Sequence, residues 1–159
     1  GREFVKTAGH YHPLVPQTNV SYTEVYEVLY GNALYLLQKV EGNKVLDAYF
    51  VEAKAGDKVI IPPGYGHITI NRSNDILVMA NWVAANFSSI YDSLKQVKGG
   101  CYYVLQDKIL KNENYSHIPD YTFKKPTNIL GSLPMYKLVA NLNKLKFLTE
   151  PQNHKEIFI

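Results

Sequence analysis

Short β-type segments that recur at roughly 8–12-residue spacing between residues 20 and 105 constrain the fold of this chain more than any other feature. Each segment is rich in Val, Ile, Leu and Tyr, and turn residues separate it from the next. The pattern predicts seven strands: Val25–Tyr30, Ala33–Val40, Lys44–Val51, Lys58–Ile61, His67–Asn71, Ile76–Trp82 and Tyr102–Leu105. Gly42 and Asn43 form the clearest hairpin signal, because both residue types tolerate positive φ angles. Such regular spacing is typical of an all-β sandwich or barrel.

The length of 159 residues fits a single domain, which we expect to span residues 1–159. Its barrel core covers about residues 1–105, and an irregular extension covers about residues 106–159. Apolar residues at helical spacing follow Pro134, and Ser132 is a suitable cap, so the extension is predicted to contain a short C-terminal helix. The chain opens without a methionine, in what resembles an ongoing strand, and we therefore expect its N-terminus to be incomplete.

Charge, hydropathy and cysteine content exclude several functional classes. The net charge of +3 is too small, and the basic residues are too dispersed, for nucleic-acid binding. No stretch approaches eighteen apolar residues and no signal peptide is recognisable, so we expect no membrane association. The single cysteine, Cys101, excludes an intramolecular disulfide and a thiolate zinc site. This indicates a protein that is intracellular or at least insensitive to redox conditions, with a buried, inert thiol.

Four candidate metal ligands occur in the order His-x-His, Glu, His. In an extended segment, His10 and His12 point the same way, with Cα atoms about 6–7 Å apart. Glu24 and Tyr26 share one face of the next strand, and His67 opens a later strand. Each of these three features, taken alone, more often has a structural role than a metal-binding one. Together they form a set of three histidines and one carboxylate, which suits a divalent first-row metal with open coordination positions.

The same reasoning gives other residues structural roles. Strand alternation sends Glu27 to the face opposite Glu24, and we predict a surface charge there. His117 and His154 have no partner at metal spacing and are predicted to lie on the surface. The corner formed by Pro62, Pro63 and Gly64 directs the following strand, and Gly64 is expected to need a positive φ angle.

Two motifs give these residues a family resemblance. Residues 56–71 fit the second cupin motif, G-x5-P-x-G-x2-H-x3-N, at every specified position. Glu24 followed by Gly31 fits the end of the first motif, but the spacer between His12 and Glu24 is longer than usual. This arrangement resembles the cupin-type glucose-6-phosphate isomerases of archaea and bacteria, whose signature is G-x-E-x3-T-x-G-H-x-H, a longer spacer, then E-x-Y. The matching residues are Gly1, Glu3, Thr7, Gly9, His10, His12, Glu24 and Tyr26.

The resemblance implies a cupin, or jelly-roll-like, β-barrel enzyme that acts on a phosphosugar in the cytoplasm as a homodimer. It implies one divalent metal ion per chain, with Fe(II) favoured over Mn(II), Ni(II) or Zn(II). The implied metal ligands are His10, His12, Glu24 and His67. Glu24 is then also the candidate base and Tyr26 a proton relay. The reaction would interconvert glucose 6-phosphate and fructose 6-phosphate, through either a cis-enediolate or a hydride shift.

Phosphate contacts are implied for Thr7, Gly9 and Tyr91, with Lys98 as a weaker candidate. A contact from the Gly9 backbone is favoured over a role for the Thr7 side chain, because Thr7 and Gly9 alternate with the histidines. The stretch at residues 83–89 lacks a histidine of the family, and Trp82 stands where a tyrosine is expected.

These departures leave three alternatives open. The first is another phosphosugar isomerase, such as one acting on mannose 6-phosphate. The second is a metal-dependent oxygenase, because a site with open positions also binds O₂ when iron is present. The third is a non-catalytic sugar-binding cupin.

Overall fold

Strands dominate the fold. The computed structural model describes residues 2–158, so Gly1, the first position of the N-terminal motif, lies outside the described residues. The strands are β1 (Val5–Lys6), β2 (Glu24–Tyr30), β3 (Asn32–Glu41), β4 (Lys44–Lys54), β5 (Lys58–Ile61), β6 (Tyr65–Asn71), β7 (Val78–Val83), β8 (Tyr102–Val104), β9 (Ile109–Lys111) and β10 (Thr122–Lys124). One short α-helix, α1 (Asp92–Gln96), follows β7. The chain ends in 3₁₀ helices at Met135–Ala140, Leu142–Leu148, Pro151–Asn153 and Lys155–Phe158.

The described strands form two main sheets and a small hairpin sheet. The large sheet has the order β1-β6-β3-β4-β10, the small sheet has the order β5-β2-β7, and β8 pairs with β9. The prediction of an all-β, cupin-like fold is confirmed, although the described strands divide between separate sheets rather than forming one continuous barrel sheet. None of the helices in residues 2–158 is long and apolar enough to cross a membrane. The division into one domain stays a prediction.

Alternation along β3 divides the core between the two faces of the large sheet. Tyr35 and Leu37 point toward the small sheet, where they pack in one buried cluster with Val28 of β2. Leu34 and Leu36 point the other way and pack in a second cluster with residues of the segment that includes β8. The large sheet is therefore apolar on both faces, as expected for a strand layer covered on both sides.

Two predicted turns form as the sequence indicates. Gly42 connects β3 to β4 with a φ angle of 57°, which confirms the predicted hairpin. Gly64 adopts a φ angle of 80° at the corner before β6, which confirms the conformation expected there. The predicted strands all occur, with ends displaced by a few residues; β4, for example, continues to Lys54.

Helical structure occurs where the short C-terminal helix is predicted, but it is divided and of 3₁₀ type. Met135–Ala140 and Leu142–Leu148 are separate 3₁₀ helices, and Asn141 between them has a φ angle of −143° that interrupts helical geometry. The N-cap position of the first one is Pro134, without a side-chain hydrogen bond, so Ser132 does not serve as the cap. Because a 3₁₀ helix has three residues per turn, Leu138 is buried one turn after Met135, whereas Val139 and Leu142 face solvent.

The C-terminal segment, defined here as residues 127–158, covers the outer face of the small sheet. Its buried side chains include Met135, Leu138 and Phe147, which pack against Val25 of β2 and the half-buried Trp82 of β7. The extension beyond residue 105 is thus less irregular than predicted, since β10 also adds to the large sheet beside β4 in a parallel pairing.

The prediction of a surface charge at Glu27 is wrong. Glu27 does lie on the face opposite Glu24, but the C-terminal segment covers that face and leaves Glu27 only 5% exposed. One carboxylate oxygen lies 3.8 Å from Nζ of the buried Lys58, and the other accepts a hydrogen bond from the Met135 backbone N–H. Lys58 also donates a hydrogen bond to the Gly131 carbonyl. Strand alternation predicted the direction of this side chain correctly but not what lies against it.

Candidate metal centre

Three separate parts of the chain bring the predicted ligands together. His10 and His12 lie in the extended segment before β2, and His10 exchanges backbone hydrogen bonds with His67 of β6. Glu24 is the first residue of β2, which pairs with β5 and β7 in the small sheet. The candidate centre therefore lies where the small sheet faces β6 of the large sheet.

The four side chains converge on a single point. Glu24 Oε2 lies 3.0 Å from His67 Nε2, 3.2 Å from His12 Nε2 and 3.9 Å from His10 Nε2. One ligand atom from each of the four residues lies within 4.8 Å of all the others. Glu24, His67 and His12 are buried, and His10 is partly exposed. Of the four, His10 thus lies nearest to solvent.

Hydrogen bonds outside the cluster determine which nitrogens face it. The Nδ1 atoms of His10 and His12 each lie 3.2 Å from a backbone carbonyl oxygen, that of Ala8 and that of Tyr22 respectively. Because a carbonyl oxygen only accepts, each of these rings carries a proton on Nδ1 and turns its Nε2 toward the cluster. Backbone carbonyls often orient metal-bound histidines in this way.

The arrangement of these four side chains is more favourable with a bound cation than without one. His12 Nε2 and Glu24 Oε2 are buried, and neither has a hydrogen-bond partner. Burying such acceptors together without a donor is costly. A divalent metal ion would accept electron pairs from all of them, and imidazole with carboxylate is a common ligand set for first-row metals. The cluster can therefore hold a metal ion.

The protonation states of the cluster also suit metal binding. Burial lowers the pKa of His67 to about 4, and burial lowers the pKa of His10 as well, so both rings are neutral near pH 7. Burial alone would raise the pKa of Glu24, but contacts with His12 and His67 outweigh it and hold that pKa below its usual range. Metal ligands must be neutral imidazoles and ionised carboxylates.

Two polar side chains contact the cluster from the strands of the small sheet. The Tyr26 hydroxyl lies 3.3 Å from His67 Nε2, and burial followed by the Glu24 charge raises the pKa of Tyr26. The phenol therefore keeps its proton and is able to donate a hydrogen bond. Asn81 of β7, directly across from Tyr26, donates an amide hydrogen bond to Glu24 Oε1.

Aromatic rings from residues 84–91 line the histidines. The Phe87 ring centroid lies 5.0 Å from that of His12 and 4.7 Å from that of Tyr22, with which it is stacked. The Tyr91 ring centroid lies 5.1 Å from that of His10. This loop therefore forms an apolar wall beside the predicted ligands.

The residues predicted to contact the phosphate make contacts with other residues of the chain. Thr7 pairs with Thr69 of β6 by a backbone hydrogen bond, and Thr7 Oγ1 accepts a second one from the Thr69 N–H. Gly9 lies so close to β6 that a Cβ atom there would be 2.6 Å from the Ile68 side chain. The Lys98 carbonyl accepts a hydrogen bond from the Tyr103 hydroxyl. Phosphate binding by Thr7, Gly9 and Tyr91 stays a prediction.

The two remaining histidines lie away from the cluster. His117 is exposed, as predicted, and its backbone carbonyl pairs with Val45. His154 is partly buried rather than exposed, and its Nδ1 lies 3.6 Å from a Glu156 carboxylate oxygen.

Sequence reasoning missed Asn81 and did not assign a role to Phe87. The register of β2 against β7 places Asn81 on the cluster side and turns its neighbour Trp82 outward, against the C-terminal segment. Strand alternation alone separates Asn81 from Trp82, but only the pairing with β2 shows which of them faces the cluster.

The chain is similar in sequence to several known proteins. The family profile described as glucose-6-phosphate isomerase (GPI) matches residues 1–120. A glucose-6-phosphate isomerase of Thermococcus litoralis is 31% identical over 116 residues, which cover 72% of this chain and 56% of that protein. One of Thermococcus gammatolerans is 31% identical over 120 residues, covering 73% and 58% respectively. One of Pyrococcus furiosus is 29% identical over 96 residues, covering 60% and 46%. The chain spans about half the length of these curated relatives.

Proposed function

Because the chain belongs to the glucose-6-phosphate isomerase family, we propose that it is a metal-dependent aldose–ketose isomerase. Its proposed substrates are glucose 6-phosphate and fructose 6-phosphate. The observation that carries this proposal is the convergence of three imidazole Nε2 atoms on Glu24 Oε2, at 3.0–3.9 Å, with buried acceptors that lack donors. Such a cluster offers an ionised carboxylate and a cation site side by side, as sugar isomerisation requires.

We assign the metal to His10, His12, Glu24 and His67, with one ion per chain and Fe(II) as the favoured ion. Mn(II), Ni(II) and Zn(II) accept the same ligand set. When bound, a divalent ion supplies positive charge that stabilises the negative charge developing on the sugar oxygens. The chain itself supplies the preorganised ligand positions, because the Ala8 and Tyr22 carbonyls orient two of the rings.

Proton transfer is assigned to Glu24, which is the carboxylate of this cluster. It stays ionised at neutral pH because the contacts with His12 and His67 hold its pKa low. Tyr26 lies on the same face of β2 and keeps its proton, so it donates a hydrogen bond to a sugar oxygen and relays a proton. We propose that the phosphate binds near the Gly9 backbone, with Thr7 and Tyr91 close by. Tyr91 is 40% exposed and packs on His10 at the solvent side of the cluster.

The first experiment measures fructose 6-phosphate conversion, coupled to a dehydrogenase specific for glucose 6-phosphate. Turnover is expected with Fe(II) or Mn(II), is lost after EDTA treatment and returns on adding metal. Mannose 6-phosphate serves as a parallel substrate, and a separate glucose-6-phosphate isomerase added to the coupling system converts its product, fructose 6-phosphate, to the detected sugar. Turnover of mannose 6-phosphate alone would assign the chain to another phosphosugar isomerase, and chelator-insensitive turnover would contradict the metal site.

Replacing Glu24 with glutamine separates the ligand role from the base role. An amide oxygen still coordinates a metal weakly, so saturating metal restores turnover if Glu24 is only a ligand. If Glu24 also moves the proton, turnover stays about 10²–10⁴-fold below wild type at saturating metal. We expect the second result. Full recovery would leave a hydride shift, or Tyr26 as the base, as the better account.

Solvent isotope incorporation distinguishes the two reaction routes. Conversion in D₂O is followed by mass spectrometry of the sugar phosphates. A route in which Glu24 carries the proton exchanges it with solvent, so deuterium enters the product at C1 or C2. A hydride shift transfers the hydrogen directly and leaves the product unlabelled.

The homodimer and the cytoplasmic location implied by the resemblance stay predictions. Light scattering on the purified chain tests the first, with a mass of twice 18.1 kDa expected.

A further inference from the structure

Asn81 contacts the carboxylate oxygen of Glu24 that the histidines do not. Its amide group donates a hydrogen bond to Glu24 Oε1, whereas all three Nε2 atoms lie nearest Oε2. The two oxygens of this carboxylate therefore have different environments. Oε1 has a donor, and Oε2 is buried without one.

The carboxylate needs such a contact to hold one orientation. The terminal torsion of a glutamate side chain is broad and roughly two-fold, so it does not fix the plane of the carboxylate by itself. A hydrogen bond to an ionised group is about twice as strong as a neutral one. Asn81 sits opposite Tyr26 on the neighbouring strand, and this ladder position places its amide within reach of Glu24.

The number of oxygens that Glu24 presents determines how many coordination positions it occupies. A carboxylate with two free oxygens can bind one cation through both of them. With Oε1 engaged by Asn81, one oxygen remains directed at the histidines. The position that a second oxygen would occupy then stays open for a substrate oxygen or water.

We propose that Asn81 is a positioning residue that restricts Glu24 to a single metal-binding oxygen, an inference that rests on the metal site proposed above. Asn81 does so from the edge of the cluster, because it is itself exposed while Glu24 is 2% exposed. Outer contacts of this kind typically change metal affinity 10–100-fold when they are removed.

The test uses Co(II) as a spectroscopic probe on the full chain. Asn81→Leu keeps the side-chain size and removes the donor, and Asn81→Ser shortens the side chain so that its hydroxyl does not reach Glu24. The matched control is Asn153→Leu, which also removes an amide hydrogen bond to a glutamate carboxylate, that of Glu150, but does so in the C-terminal segment outside the cluster. Co(II) affinity is measured by competition with a chelator, and the visible Co(II) absorption band is recorded for each protein.

Both Asn81 variants are expected to bind Co(II) about 10–100-fold more weakly than wild type. Their visible band should weaken, because a second carboxylate oxygen raises the coordination number. Asn153→Leu should bind within about twofold of wild type with an unchanged band. Thermal melts of the metal-free proteins verify folding, and if Asn81→Leu does not fold, Asn81→Ser gives the result.

The outcomes separate this inference from the function on which it rests. Wild-type protein that holds no Co(II) overturns both the metal site and the role of Asn81. Wild-type protein that binds Co(II), together with Asn81 variants of unchanged affinity and spectrum, overturns only the role of Asn81. A change of equal size in Asn153→Leu also overturns it, because the effect would then reflect a general disturbance of the protein.

Discussion

Replacing Lys58 with methionine tests how much the buried ion pair beneath the C-terminal segment stabilises the fold. Lys58 Nζ lies 3.8 Å from Glu27 Oε1, and the two residues are only 2% and 5% exposed. Unit charges at this distance attract by about 4 kcal/mol at an effective dielectric constant near 20. Removing one partner of a buried pair typically costs about 3–5 kcal/mol, because the other charge stays buried without compensation. We therefore expect Lys58→Met to lower the free energy of unfolding by about 4 kcal/mol.

Urea unfolding followed by circular dichroism measures this change directly. For a chain of this size, a loss of about 4 kcal/mol lowers the melting temperature by roughly 8–16 °C. The matched control is Lys95→Met, which breaks a pair with Asp92 of similar length, 3.9 Å, whose side chains are 74% and 86% exposed. Solvent screens that pair, so its loss should cost less than about 1 kcal/mol.

A double variant identifies the source of the effect. Replacing both Lys58 and Glu27 with methionine removes the uncompensated charge and should recover part of the stability lost in the single variant. Recovery is incomplete, because the Met135 backbone N–H then loses its acceptor, at a cost of about 1–3 kcal/mol. A Lys58→Met protein as stable as the Lys95→Met control would refute the reasoning.

Three further predictions concern the metal cluster, a turn and the thiol. His67→Ala should reduce bound metal strongly in elemental analysis, whereas His117→Ala should leave it unchanged; equal losses would reject the ligand assignment. Gly64→Val should destabilise the fold by at least about 1–2 kcal/mol in urea unfolding, because its φ angle of 80° disfavours a side chain, and an unchanged midpoint would contradict this. Burial raises the pKa of Cys101 to about 12, so a disulfide reagent at pH 8 should label it only after unfolding, and rapid labelling of the native protein would show the thiol to be accessible.

Features that depend on local chemistry could be predicted from the sequence. The turns at Gly42 and Gly64 follow from residues that tolerate positive φ angles, and both angles are positive in the structure. The four ligand positions follow from their order and from strand alternation. Alternation also gave the correct direction for Glu27, but its burial depends on a segment more than a hundred residues away.

Features that depend on strand register could not be predicted in this way. Asn81 reaches Glu24 across 57 residues of chain, and a shift of one residue in the pairing would have placed Trp82 there instead. The 3₁₀ type and the division of the predicted C-terminal helix also could not be predicted. The spacing of the apolar residues after Pro134 fits one face of an α-helix. The backbone break at Asn141 has no strong sequence signal.

The cover that the C-terminal segment forms over the small sheet has a consequence for synthesis on the ribosome. All four cluster residues lie at or before position 67, but the strand that begins at Glu24 receives its outer cover from residues made about a hundred positions later. The Thr23 hydroxyl, for example, donates a hydrogen bond to the Phe147 carbonyl, 124 residues later. Contacts of such long range slow folding. The nascent chain therefore exposes the apolar outer face of this sheet until the C-terminal segment has been made, and a face exposed in this way favours aggregation during that interval.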